Sequence, residues 1–125
     1  TKRKYEIVGH PTVTEIGDDK IRVTGLLRTD GDEKTDVNIC GEGNGPIDAF
    51  FRALASVGVC DYKFINYEQH AISTGSDSKA VSYIQLMTPD GKSIFGVGIS
   101  SNIYRSSLFG VLNAINRAEL EKENN

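Results

Sequence analysis

The sequence predicts an α+β domain built from two strand–strand–strand–helix units. Three observations carry that fold class. Two amphipathic helix patterns each fall late in their half of the 125 residues, and alternating apolar segments separated by short turn signals lie ahead of both. Before each helix a strand ends on Gly-x-Gly, at Gly41-x-Gly43 and again at Gly96-x-Gly98, 55 positions on (96 − 41). Identity between the halves is slight, so the repeat is one of architecture: a pseudo-twofold pair with unit one over about 1–58 and unit two over about 59–120. Helices that follow antiparallel strands imply an antiparallel sheet with helices on one face.

The elements follow in order. Tyr5, Ile7, Val8, Val13 and Ile16 surround His10-Pro11 and read as a strand with a break, ended by a turn at Gly17-Asp18-Asp19. Ile21, Val23 and Leu27 alternate with polar neighbours in a half-buried strand, in which Gly25 suggests a bulge. Thr29-Asp30-Gly31-Asp32 turns the chain, and Val37 and Ile39 lead the third strand into Gly41-Glu42-Gly43-Asn44-Gly45-Pro46. Apolar residues at 47, 50, 51, 54 and 57 share one helical face. Asn44 suits the cap, Pro46 the first turn, Asp48 the positive end of the dipole and Gly58 the stop. In unit two, 62–72 is extended, 73–77 breaks it, 80–87 alternates, and Pro89-Asp90-Gly91 makes a hairpin turn. A strand over 94–99 then meets a cap at Ser100-Ser101-Asn102. Leu108, Val111, Leu112 and Ile115, with Tyr104 a turn earlier, form the second helix, which fades into 119–125.

The totals bound the function. A chain of 125 residues makes one domain with a real core. A net charge of −3, with Lys and Arg scattered, argues against a nucleic-acid or anionic-membrane partner. Cys40 and Cys60 carry no pairing motif and read as two buried cytosolic thiols. No apolar run approaches the ~18 residues of a membrane span, and no signal-peptide pattern opens the chain, so the expected location is cytoplasmic. The strand-like start directly after Thr1 reads as a segment of something longer.

The chemistry-bearing patterns are sparse. Gly41-x-Gly43-x-Gly45-Pro46 misses the dinucleotide fingerprint, because the third glycine comes one place early. No phosphate loop or metal-ligand spacing occurs, so no cofactor is expected in this domain. His70 beside Glu68 has the makings of an acid–base pair but reads better as structural, and the serines lack a base at fixed spacing. What remains is a binder. Glycine-bared backbone and two helix N-termini suit a small carboxylate, while Ala71, Ala80 and Ile103 leave room for an apolar group. A zwitterion with a branched aliphatic side chain fits, and so does an oligomer interface with nothing bound.

Three separated segments then resemble one family. Gly43-Asn44-Gly45-Pro46-Ile47-Asp48-Ala49 is similar to the G-N-G-P-[VIL]-[DA]-A signature of the C-terminal regulatory, leucine-binding domain of 2-isopropylmalate synthases. Tyr67 to Ala71 and Gly75 to Tyr83 resemble its Y-x-E-H-[AS] segment and the A-rich stretch that follows. Phe95 to Ile99, Ser106-Ser107-Leu108 and Asn113 to Arg117 resemble W-G-V-G-[IV], A-S-L and S-A-V-N-R. Gln69 stands where the family has Glu, Phe95 where it has Trp, and Ser101 where Pro is frequent. The resemblance runs from about Ile21 to Arg117.

It implies a single regulatory domain over 1–125, separate from a metal-dependent catalytic barrel that this chain does not contain. That barrel, on the same polypeptide, would use a divalent metal and acetyl-CoA to condense acetyl-CoA with 2-oxoisovalerate; the regulatory domain would be non-catalytic. L-leucine is the implied effector and a homodimer the implied assembly, with an isoleucine-binding citramalate synthase domain as the nearest alternative. Carried over by position, the ligand's charges would meet Asn44, Gly45 and the loop about Ser78 and Ala80. Its side chain would meet Phe64, Tyr67, Ala71 and Ile103, with Ser101 near the second helix start. Asp48 is divided between a ligand contact and a dipole complement.

Overall fold

The computed structural model describes residues 4–31 and 33–123; Asp32 of the expected turn, residues 1–3 and the last two lie outside the described residues. In chain order the elements are β1 (Lys4–Gly17), β2 (Lys20–Asp30), β3 (Lys34–Gly43), α1 (Pro46–Ala55), β4 (Lys63–Thr74), β5 (Asp77–Met87), β6 (Ser93–Ser100) and α2 (Ile103–Glu123). The two strand–strand–strand–helix units are therefore present. The strands divide into two antiparallel sheets, β1-β2-β3 and β4-β5-β6, one for each unit.

Alternation decides which face each sheet buries. Ile21, Val23 and Leu27 of β2 and Ile39 of β3 turn inward and are buried with Phe50, Ala53 and Leu54 of α1. Ile84 and Leu86 of β5 and Ile94 of β6 are buried with Leu108, Val111, Ala114 and Ile115 of α2. Helix α2 also packs on β1 and touches α1, which joins both halves in one core.

The Gly-x-Gly strand ends serve this packing. A Cβ at Gly41 would lie 2.3 Å from the Ala49 carbonyl oxygen, and one at Gly96 would lie 2.3 Å from that of Gly110. At Gly98 it would meet the Ser106 carbonyl at 2.0 Å. What approaches the bared backbone in both units is the helix that immediately follows.

Several local expectations are adjusted. The bulge lies on β1, not at Gly25: the register shifts between Val8 and Thr12, so 9–11 face Gly25 alone, with Gly9 at φ +70°. Helix α1 ends at Ala55, short of Val57, because Gly58 at φ +89° turns the chain back and Val59 N–H reaches the Leu54 carbonyl at 3.0 Å. Helix α2 does not fade at 119 but continues to Glu123. The thiols are exposed, not buried. Cys40 sits between the inward Ile39 and Gly41 and so points outward, and Cys60 lies in the connection to β4.

The outer faces of the two sheets differ in kind. That of the first sheet carries cross-strand ion pairs, Arg22 with Glu42 and Arg28 with Asp36, each at 2.8 Å. That of the second presents Tyr83, Phe95, Val97 and Ile99 to solvent, with Tyr83 directly opposite Val97. The free edge of β6 is closed by α2: Val97 N–H donates to Asn113 Oδ1 at 3.1 Å, and Arg117 donates to the Phe95 carbonyl at 2.8 Å.

Candidate functional site

The register of β4 builds the site. Phe64 pairs with Leu86, Tyr67 with Ile84, Gln69 with Ser82 and Ala71 with Ala80, with a shift between Phe64 and Asn66. Their partners on β5 are buried on the helix-bearing face, so these four β4 residues share that face. Helix α2 packs on β6 and β5, however, and meets β4 mainly at Gln69, leaving most of that strand's inner face open. Phe64 and Tyr67 are 42% and 47% exposed on what ought to be an inner face.

The start of α1 closes one end of this strip. Ile47, Asp48 and Phe51 join Tyr62, Phe64 and Tyr67 around a cavity of about 400 Å³. Three rings form its apolar wall, Phe51 and Phe64 with centroids 6.4 Å apart, Phe64 and Tyr67 6.2 Å. The Tyr62 hydroxyl donates to the Glu119 carboxylate; burial first, then that bond and the Glu119 charge, push its pKa well above the usual tyrosine range.

The two helix N-termini differ. At α2, Asn102 Oδ1 accepts from Tyr104 N–H at 2.9 Å and Arg105 N–H at 3.0 Å, a filled cap. At α1 the N-cap residue is Gly45, fully extended at φ 179°, and no side chain caps the helix. Asn44 does not cap; its backbone N–H instead donates to Asp48 Oδ2 at 3.0 Å. Asp48 also faces Arg52 at 3.4 Å. The two N-termini do not share one cleft. The first turn of α1 faces β4, whereas Asn102, Tyr104 and Arg105 line a separate cavity with 10–13 of β1.

The sequence-derived residues therefore fall into groups. Phe64 and Tyr67 meet beside α1, and Asn44 and Gly45 are tied to the same corner through Asp48. Ala71, Ala80 and Ile103 gather farther along: Ala80 is flanked by Ala71 and Ser100, and the Ile103 carbonyl accepts from Gln69 Nε2 at 2.9 Å. Tyr67 and Ala71 are four residues apart on one strand, roughly 13 Å. Ser78 sits opposite Ser73 near the β4–β5 turn, and Ser101 is exposed between β6 and α2. Glu68 and His70, 3.7 Å apart, are highly exposed, and the His70 ring sits edge-on to Tyr83 on the outer face.

Ile47, Phe51 and Tyr62 were not anticipated as lining residues. Ile47 and Phe51 belong to the apolar stripe of α1, but that stripe runs past the edge of the core: Phe50 and Leu54 are fully covered while these two are partly open. Gln69 had no local signal, because its partners lie up to 37 positions away. Among the described residues no group of three or more His, Cys, Asp or Glu is placed to hold a metal ion, and no helix is long and apolar enough to cross a membrane.

The apolar strip of β4 and the capless start of α1 thus lie side by side. The family model described as LeuA allosteric (dimerisation) domain matches residues 2–119. Among similar proteins, the 2-isopropylmalate synthase of Clostridium acetobutylicum is 48% identical over 86 residues, 69% of this chain and 15% of that protein. That of Kineococcus radiotolerans is 42% identical over 116 residues, 92% of this chain and 19% of that protein. That of Parafrankia is 39% identical over 116 residues, covering 93% and 20%. The chain thus spans a fifth or less of the length of these relatives. It belongs to the LeuA allosteric (dimerisation) domain family.

Proposed function

We propose that this chain is the regulatory domain of a 2-isopropylmalate synthase and that it binds L-leucine. The observation that carries the reading is the largely open helix-side face of β4 beside the capless start of α1. An aliphatic side chain would lie along the strip between Tyr67 and Ala71, with Ile103 beside it and Phe64 at the α1 end of the strip. The carboxylate would meet the first N–H groups of α1 about Asn44 and Gly45. Binding would lower the condensation of acetyl-CoA with 2-oxoisovalerate by the catalytic part of the same polypeptide, in the cytoplasm, with metal and acetyl-CoA held there and not here. The domain would work as a homodimer, for which the outer face of the second sheet offers Tyr83, Phe95, Val97 and Ile99.

Thermal denaturation tests it. A ligand that binds only the folded chain stabilises it by about 2.7 kcal/mol at a hundredfold excess over Kd. In a domain of this size that is a rise on the order of ten degrees. Leucine should produce it, with leucinamide and D-leucine giving far less. A larger shift from isoleucine would reassign the effector, and equal shifts from leucine, leucinamide and glycine would end the sensor reading.

A further inference from the structure

Gln69 stands on the open strip between Tyr67 and Ala71, and its amide is held in one orientation. Nε2 donates toward the Ile103 carbonyl at 2.9 Å and lies 3.2 Å from both Ser82 Oγ and Ser106 Oγ. A carbonyl only accepts, so the bond to Ile103 fixes which end of the amide is nitrogen. The two serine hydroxyls are themselves joined at 2.8 Å, and Ser82 Oγ lies 3.2 Å from Ser107 Oγ. The nitrogen end is therefore locked onto the first turn of α2. The other end, Oε1, accepts no hydrogen bond among the described residues, and Gln69 as a whole is exposed.

We infer that Gln69 is a specificity-determining residue whose Oε1 accepts a hydrogen bond from the α-ammonium of the bound amino acid. This rests on the amino-acid-sensor reading above. A neutral acceptor with a fixed direction is placed beside aromatic and alanine surface that recognises only the apolar part of a ligand. An ammonium is a pure donor and matches it; a second carboxylate or a hydrocarbon does not. The strip would thereby separate amino acids from carboxylic acids with the same side chain.

The experiment is calorimetry on the purified chain with L-leucine and with 4-methylpentanoate, which keeps the side chain and carboxylate but lacks the amine. The unaltered chain should favour leucine. Gln69→Met should weaken leucine roughly 10- to 100-fold, the range for losing a hydrogen bond to a charged group, and leave 4-methylpentanoate unchanged. Gln69→Glu retains an acceptor and should keep the preference for leucine. Unchanged leucine affinity in Gln69→Met, or equal loss of both ligands, would overturn the assignment and leave Gln69 a structural tie. Failure of the unaltered chain to bind leucine at all would instead overturn the sensor reading, and the role of Gln69 with it.

Discussion

Asn116 completes the edge of β1 as a neighbouring strand would. Its Oδ1 accepts from Tyr5 N–H at 2.8 Å, and its Nδ2 donates to the Tyr5 carbonyl at 2.8 Å. One side chain near the end of α2 thus satisfies both backbone groups of a residue 111 positions earlier. Asn116→Ala would leave two partly buried backbone groups unpaired, at about 1–3 kcal/mol. The melting midpoint should fall by on the order of five to ten degrees. Asn116→Asp retains only the accepting half and should fall between the two. A midpoint unchanged in Asn116→Ala would mean that water replaces the amide without loss.

The glycines give a contrast within one loop system. Gly96→Ala places its Cβ against backbone atoms of α2 that cannot step aside, and should cost about 3 kcal/mol or more. Gly45→Ala meets nothing within 4 Å and keeps an extended backbone, so stability should stay within about 0.5 kcal/mol. Urea midpoints for the two variants, with equal m-values, check the difference. Equal destabilisation would contradict the close helix–strand approach described above.

Alkaline pH should unfold the chain partly through Tyr62. An unfolded tyrosine titrates near pH ~10, while burial and the Glu119 carboxylate hold the folded group above that. Above about pH 10 the unfolded chain releases a proton that the folded chain keeps, so stability declines as pH rises. Below that value the contribution is fully present. Tyr62→Phe should flatten the decline in urea midpoint between about pH 10 and 12. Parallel curves for parent and variant would show that another group controls the alkaline limb.

Enlarging the strip should separate binding from folding. Ala71 is exposed on the helix-side face of β4, so Ala71→Phe has solvent to enter and the fold should survive. The same ring would occupy space assigned to the leucine side chain, and the leucine-induced thermal shift should vanish. A full shift in the variant would move the effector away from this strand.

Charge on the outer face of the second sheet should test the assembly. Val97 points outward there, and its link to Asn113 is through the backbone, so Val97→Arg leaves that bond in place. The parent chain should sediment as a pair of 13.6 kDa copies, and Val97→Arg as single ones. A dimer that persists in the variant would place the interface on another face.

The hairpins were legible because Gly17-Asp18-Asp19 and Pro89-Asp90-Gly91 carry turn chemistry in the sequence itself. The helices were legible from spacing alone. The division into two sheets was not, because periodicity reports which face of a strand is buried and never which strand lies beside it. The glycines announced a close approach without naming the partner, which proved to be each unit's own helix. Phe64 and Tyr67 do meet in one cavity, but Phe51 beside them read as core. A helical stripe does not reveal how far along it the covering layer extends.

The closure of β6 by Asn113 and Arg117 has a bearing on solubility. An open β-strand edge offers its N–H and C=O groups to any passing extended chain, and that is how soluble domains seed fibrous deposits. Here a single helix, through Asn113, Asn116 and Arg117, occupies one such edge in each unit. Loss of α2 from Asn113 onward would therefore do more than loosen the domain. It would uncover two templates at once, at β1 and at β6, next to an already apolar sheet face, and make the domain sticky.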